Sequence, residues 1–121
     1  MSIVNKKEFG NIGEKITCKY LLKHNYRILE RNFIYRGGEI DIIAYDRSKN
    51  EIVFFEVKTR SNKEYGLPAD SVNKYKLNRI IKGAKYYLFK NRINKANTRF
   101  DILEVYYSQG MFFINQIKQI I

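Results

Sequence analysis

Two short runs of this chain carry the side chains best suited to chemistry: the acids Glu39 and Asp41, and the acid–base pair Glu56 and Lys58. Side chains alternate across a β-strand, so two residues that are two apart share one face. A short polar segment separates the runs and predicts an antiparallel hairpin. With a two-residue turn at 48–49, Asp41 lies directly opposite Glu56, with Cβ atoms roughly 5 Å apart. In the same register Glu39 lies opposite Lys58.

Opposed carboxylates repel each other unless a cation lies between them, and carboxylate oxygens are the ligands that Mg²⁺ prefers. We therefore predict that Asp41 and Glu56 hold Mg²⁺ or Mn²⁺. Such an ion acts as a Lewis acid on a phosphate and positions the nucleophile, while Lys58 would orient the attacking water or stabilise the phosphate charge. A plain alternative is a cross-strand ion pair between Glu39 and Lys58, worth roughly 0.2–1 kcal/mol. A one-residue shift in the turn would also abolish the opposition.

The composition excludes several other kinds of site. Cys18 is the only cysteine and His24 the only histidine, so the chain forms no internal disulfide, Cys-rich zinc site or His-cluster site. Any metal must be held mainly by carboxylates, which indicates a hard cation. The 121 residues predict one domain, 1–121, and no window approaches membrane-spanning length. We expect a protein of the reducing cytoplasm that does not associate with membranes.

Hydrophobic periodicity predicts the elements that carry these side chains. They are helices at 11–24 and 73–92 and strands at 26–35, 39–45, 51–60, 99–107 and 111–117. The order α-β-β-β-α-β-β predicts an α/β domain with a mixed central sheet flanked by helices. If Asn11 is the N-cap of the first helix, Glu14 is its N3 partner, which would explain Glu14 without any catalytic role. The loop 61–72 follows the candidate site and is expected to gate it.

The positive charge is concentrated in one stretch. Lys and Arg outnumber Asp and Glu by 23 to 12, a net charge of +11. The stretch 58–99 has twelve basic residues against Glu64 and Asp70 and so carries +10 of that charge. Such a block attracts polyanions, of which nucleic acid is the commonest. The residues we expect to contact the phosphate backbone, without reading sequence, are Arg60, Lys74, Lys76, Arg79, Lys82 and Lys85.

Several strings resemble the YraN-like family of uncharacterised bacterial endonuclease-like proteins, collinearly over about residues 10–107. The strings are Gly13-Glu14, Gly38-Glu39-Ile40-Asp41, Glu56-Val57-Lys58-Thr59-Arg60, Gly66, Lys76 and Arg99-Phe100-Asp101. That family resembles the PD-(D/E)XK nuclease superfamily, with its restriction-endonuclease-like fold, and is nearest to archaeal Holliday junction resolvases.

The resemblance implies roles for individual residues. It places Asp41 at the superfamily's metal-binding aspartate, and Glu56 and Lys58 at its (D/E)XK pair. Glu14 matches the acid that resolvase-type members carry on the first helix, where it would help to hold the metal or position water. Ile40 stands where the superfamily has the proline of its name. By the same likeness a symmetric dimer is expected, because two cuts require two active sites.

These observations predict a metal-dependent nuclease acting on DNA, with a preference for branched structures. One alternative is a catalytically silent accessory module that keeps the fold and the basic face and only binds nucleic acid. Another is a protein-interaction domain with incidental charge. The complete set of Glu14, Asp41, Glu56 and Lys58 favours the nuclease, because a binding module needs none of them.

Overall fold

A computed structural model describes residues 6–61 and 74–121 of the chain. The elements in chain order are α1 (Lys6–Lys23), β1 (Tyr26–Tyr35), β2 (Gly38–Asp46), β3 (Glu51–Ser61), α2 (Lys74–Lys90), β4 (Thr98–Ser108) and β5 (Met111–Ile117). The predicted order and type of every element are confirmed, and most boundaries agree within one or two residues. Gly66 and the predicted gating loop from residue 62 onward lie outside the described residues.

The five strands form one mixed sheet in the order β1-β2-β3-β4-β5, in which only β3 and β4 run parallel. A parallel pair requires a crossover connection, and α2 lies within that connection. Along β3, Phe54 packs beneath α2 with Ala84, while Phe55 packs beneath α1 with Leu21. The alternation of β3 therefore buries both faces, and the predicted α/β fold with helices flanking the sheet is confirmed. Within the described residues, neither helix is long and apolar enough to cross a membrane.

The first helix differs from its prediction. It already includes Lys6, so Asn11 and Glu14 lie inside the helix, and the interpretation of Asn11 as an N-cap is wrong. The prediction began the helix too late because its first residues are mostly polar and Gly10 is a poor helix former, so this part of the sequence shows no apolar periodicity. Capping therefore does not explain Glu14.

The β2–β3 hairpin has the predicted register but a longer turn. Pairing runs from Asp46–Glu51 to Ile42–Phe55, and a four-residue turn at 47–50 replaces the predicted two-residue turn. The Asp46 carboxylate accepts hydrogen bonds from the turn's backbone amides, which accounts for the wider turn. The strand pairing ends one step before Asp41 and Glu56.

A buried ionic network closes the other end of the sheet. The Arg99 guanidinium, 5% exposed, donates to the carboxylates of Asp101, Asp46 and Glu51 and to the hydroxyl of Tyr26. Burial alone would raise the pKa of Asp46, but hydrogen bonds from Arg99 and the turn hold it below its usual value. The string that begins at Arg99 is thus structural, and one of the twelve basic residues lies in the interior.

Candidate active site

The alternation of β2 breaks at Asp41. Ile40 packs in the cluster beneath α2, whereas Ile42 packs in the cluster beneath α1, so these two residues do not share a face although they are two apart on the strand. Asn32 of β1 lies between the pairs that these two isoleucines make with that strand, and its φ of 52° is in the left-handed region. The alternation of side chains along β2 therefore shifts by one residue at Asp41.

The Asp41 carboxylate turns toward β3, where its Oδ2 accepts a hydrogen bond of 2.8 Å from the backbone N–H of Val57. The pKa of Asp41 is raised to about 6, first by burial and then by the charges of Glu56, Glu14 and Glu39, against the lowering effect of the Val57 hydrogen bond. Acids from α1, β2 and β3 therefore share one electrostatic field. A cation entering that field would relieve their repulsion.

Glu56 lies beside Asp41, and one of its carboxylate oxygens forms ion pairs with two lysines. Lys58 Nζ and Lys76 Nζ are each 3.0 Å from Glu56 Oε1. Glu56 Oε2 is buried and has no hydrogen-bond partner within the described part of the chain. The alternative ion pair between Glu39 and Lys58 does not form, because Lys58 contacts Glu56 on its own strand.

Asp41, Glu56 and Lys76 line a cavity of about 120 Å³ between the sheet and α2. Its walls are Tyr35, Glu39, Ile40, Asp41, Phe55, Glu56, Lys76, Arg79 and Ile80. At Gly38 a Cβ would lie 2.7 Å from the Tyr35 hydroxyl and 3.0 Å from the Arg79 guanidinium. The glycine of the Gly-Glu-Ile-Asp string therefore allows the wall to close. A larger open groove of about 660 Å³ lies at the other end of the sheet, and none of the described residues that line it has a carboxylate.

Gly13 brings α1 close to the site. A Cβ at Gly13 would lie 2.1 Å from Cγ2 of Thr59 on β3, so only glycine allows the helix to cross the strand at this distance. The next residue is Glu14, half-buried, with its Oε2 3.6 Å from the Arg31 guanidinium. With the Asn32 amide assigned in the orientation that satisfies its neighbours, its nitrogen donates to Glu14 Oε1 (3.3 Å) and to Glu39 Oε1 (3.2 Å) and so joins Glu14 to β2.

The donor set fits a hard divalent cation held by two carboxylates. The buried Glu56 Oε2 accepts no hydrogen bond from the described residues, so it is available to a metal ion. Asp41 accepts from Val57 through Oδ2, which leaves its other carboxylate oxygen for the same ion. Residues 6–61 and 74–121 contain no group of three or more His, Cys, Asp or Glu side chains placed to hold one ion. Mg²⁺ is commonly bound by one or two carboxylates, with waters and substrate phosphate oxygens completing its shell. Glu14 adds negative charge near Asp41, while its own carboxylate lies 3.6 Å from the Arg31 guanidinium.

The six basic residues predicted to follow a nucleic-acid backbone separate into two sets. Lys74, Arg79, Lys82 and Lys85 are exposed along α2. Lys76 instead contacts Glu56 in the cavity. Arg60 is 15% exposed with its Nε 3.2 Å from the carboxylate of Glu104, which is 1% exposed, so Arg60 does not belong to the exposed basic face.

Sequence reasoning missed the positions of Lys76 and Glu104. Lys76 precedes Ile80 and Ala84 by one and two helical turns, which places it at the margin of the buried face of α2. Glu104 interrupts the apolar run of β4 and pairs in register with Lys58 on β3. An acid within a buried strand and a lysine in line with a buried helix face are the signals that could have found them.

Two solved structures are similar over most of the chain at low identity. A repair endonuclease from Pyrococcus abyssi aligns with 91% of this chain and 42% of its own, with 17% identity and a TM-score of 0.44. SfsA from Pyrococcus furiosus, in complex with Ca²⁺, aligns with 96% of this chain and 64% of its own, with 16% identity and a TM-score of 0.40.

Relatives of known family are much more similar. A UPF0102 protein of Caldanaerobacter subterraneus subsp. tengcongensis is 43% identical over 121 residues, covering 100% of this chain and 98% of its own. A UPF0102 protein of Clostridioides difficile is 48% identical over 103 residues, covering 85% and 89% of the two chains. The model of the uncharacterised protein family UPF0102 matches residues 13–105. This protein therefore belongs to the UPF0102 family, the YraN-like family that its sequence motifs resemble.

Proposed function

We propose that this protein is a metal-dependent nuclease that hydrolyses phosphodiester bonds in DNA, with a preference for branched structures. One observation carries the proposal: a half-buried Asp41 with its pKa raised to about 6 beside a Glu56 whose Oε2 is buried without a described partner. Burial of Asp41 and the negative charge of Glu56 beside it both disfavour an ionised Asp41 carboxylate. A divalent cation relieves that cost.

Asp41 and Glu56 would hold Mg²⁺ or Mn²⁺. The ion would supply Lewis-acid activation of the scissile phosphate. The Val57 amide fixes the Asp41 carboxylate by its 2.8 Å hydrogen bond. Lys58, whose Nζ is 3.0 Å from Glu56, would hold the attacking water or the phosphate oxygen beside the ion. The exposed lysines of α2 would align the DNA backbone across the mouth of the cavity.

The test is cleavage of labelled four-way-junction, duplex and single-stranded DNA in Mg²⁺ or Mn²⁺, with binding of each substrate measured in Ca²⁺. Asp41→Asn, Glu56→Gln and Lys58→Met keep the size of each side chain and remove its charge. Glu30→Gln changes an exposed acid of β1 and is the matched control. We expect the three site variants to lose cleavage by at least about 100-fold while they retain DNA binding, and the control to match wild type.

Two results would contradict the nuclease. DNA binding without cleavage of any substrate would favour the catalytically silent accessory module. Absence of both binding and cleavage would remove both nucleic-acid proposals and favour the interaction domain.

A further inference from the structure

Lys76 makes a contact that the site does not need for neutralising Glu56. Lys58, two residues along the same strand, already places its ammonium 3.0 Å from Glu56 Oε1. Lys76 reaches the same oxygen at 3.0 Å from a different element, α2. Two ammonium groups on one carboxylate oxygen repel each other, and fixing the second long side chain also loses rotamer entropy.

The Lys76 ammonium lies where a cation would have to pass to reach Glu56. Lys76, Asp41 and Glu56 line the same cavity of about 120 Å³. A cation coordinated by Glu56 would meet the positive charge of Lys76 within a few ångströms. The Lys76 side chain, 35% exposed, reaches Glu56 from a separate element, α2, whereas the Lys58 side chain, 28% exposed, contacts Glu56 from two residues along the same strand.

We propose that Lys76 is a displaceable counterion that holds Glu56 until a divalent cation binds and then turns toward the phosphate backbone of the substrate. This inference rests on the proposed function, because it assigns Lys76 a place in the metal and substrate exchange of the same site. It also explains why a lysine of the basic helix points inward. Lys76 is here a positioning residue that regulates access to Glu56.

The competing explanation is a tether that fixes α2 to the sheet. The two explanations predict opposite changes in metal affinity. If Lys76 competes with the cation, removing its charge tightens metal binding. If Lys76 only anchors the helix, removing it leaves metal affinity unchanged or weakens it as the site loosens.

The experiment measures Mn²⁺ binding to DNA-free protein by electron paramagnetic resonance of the free ion. Lys76→Gln and Lys76→Met are compared with Lys90→Gln, an exposed lysine at the end of the same helix. We expect both Lys76 variants to bind Mn²⁺ about tenfold more tightly and the Lys90 variant to match wild type. Unchanged or weaker binding by folded Lys76 variants would overturn the inference.

A measurement on wild type guards against a variant that fails to fold. Lysine ammonium signals in ¹H–¹⁵N spectra, assigned with the variants that fold, should show Lys76 leaving its hydrogen bond as Mg²⁺ is added. An unshifted Lys76 signal at saturating Mg²⁺, or wild type that binds no divalent ion, would refute the inference. Tighter Mn²⁺ binding by Lys76→Gln, together with wild type that cleaves no DNA, would support the counterion and contradict only the nuclease.

Discussion

Asp41 shows how a single residue can be held in an unfavourable state. Its carboxylate is partly removed from water and lies near the charges of Glu56, Glu14 and Glu39, and its pKa is raised to about 6. The Val57 amide supplies one compensating hydrogen bond at 2.8 Å. In the absence of a cation, the folded protein therefore carries a cost at neutral pH that the unfolded chain does not.

The sign of this cost gives a prediction for Asp41→Asn. Between the usual pKa of 3.8 and the raised value of about 6, the folded state binds more protons than the unfolded state, so stability falls as pH rises. Asparagine keeps an acceptor for Val57 and removes the charge. We expect the variant to be more stable than wild type by about 1–3 kcal/mol above about pH 6.5, and the gain to vanish below about pH 4.

The measurement is urea unfolding of the metal-free proteins across this pH range, with Glu30→Gln as the control. A gain of the same size at both ends of the range would show that the charge of Asp41 is not its source. Metal affinity should follow the same protonation, increasing about tenfold per pH unit below about 6 and levelling off above it.

At the scale of the elements, patterns of side chains predicted what regular geometry dictates. The strands and the opposite faces of Phe54 and Phe55 follow from a period of two, and the register of β2 on β3 follows from where the polar turn is centred. The shift in side-chain alternation at Asp41 does not follow from that period, because it accompanies the left-handed backbone of Asn32 on a neighbouring strand. The inward turn of Lys76 depends on how α2 rests on the sheet. The functional geometry thus arises where the regular patterns end.

The close crossing of α1 over β3 is an element-scale feature with a direct test. A Cβ at Gly13 would lie 2.1 Å from Thr59 Cγ2, so Gly13→Ala forces the helix away from the strand. We expect a loss of about 1–3 kcal/mol in the free energy of unfolding. Thr59→Ser removes the clashing methyl group and should restore most of that loss in the double variant, as judged by urea unfolding.

Gly10 provides the matched control on the same helix. A Cβ there meets nothing within 4 Å, so Gly10→Ala should stabilise the protein by up to about 1 kcal/mol through helix propensity. If Gly13→Ala also proved stabilising, or if Thr59→Ser did not rescue it, α1 and β3 would not be in the contact described.

At the scale of the whole molecule, folding redistributes the charge that the sequence concentrates in 58–99. Arg99 forms ion pairs in the buried network at one end of the sheet, and Arg60 forms an ion pair with Glu104. Lys76 enters the candidate site. Among the described residues of this stretch, the exposed basic side chains are Arg92 and Lys95, just beyond α2, and those on the outer face of α2, where lysines and Arg79 lie among the exposed rings of Tyr75, Tyr86 and Phe89. The electrostatic footprint is therefore narrower than the composition implies.

This narrower footprint predicts where the salt dependence of DNA binding originates. Each phosphate contact that is lost lowers the slope of log K against log salt by about 0.9 for duplex DNA. The double variant Lys82→Gln/Lys85→Gln should therefore reduce the slope by nearly two and weaken binding similarly for all sequences. Lys15→Gln/Lys19→Gln removes the same charge from exposed positions on α1, across the sheet, and should leave the slope near that of wild type. Fluorescence anisotropy over a salt series in Ca²⁺ measures both. Equal slopes for the two double variants would mean that net charge alone, and no oriented face of α2, attracts the DNA.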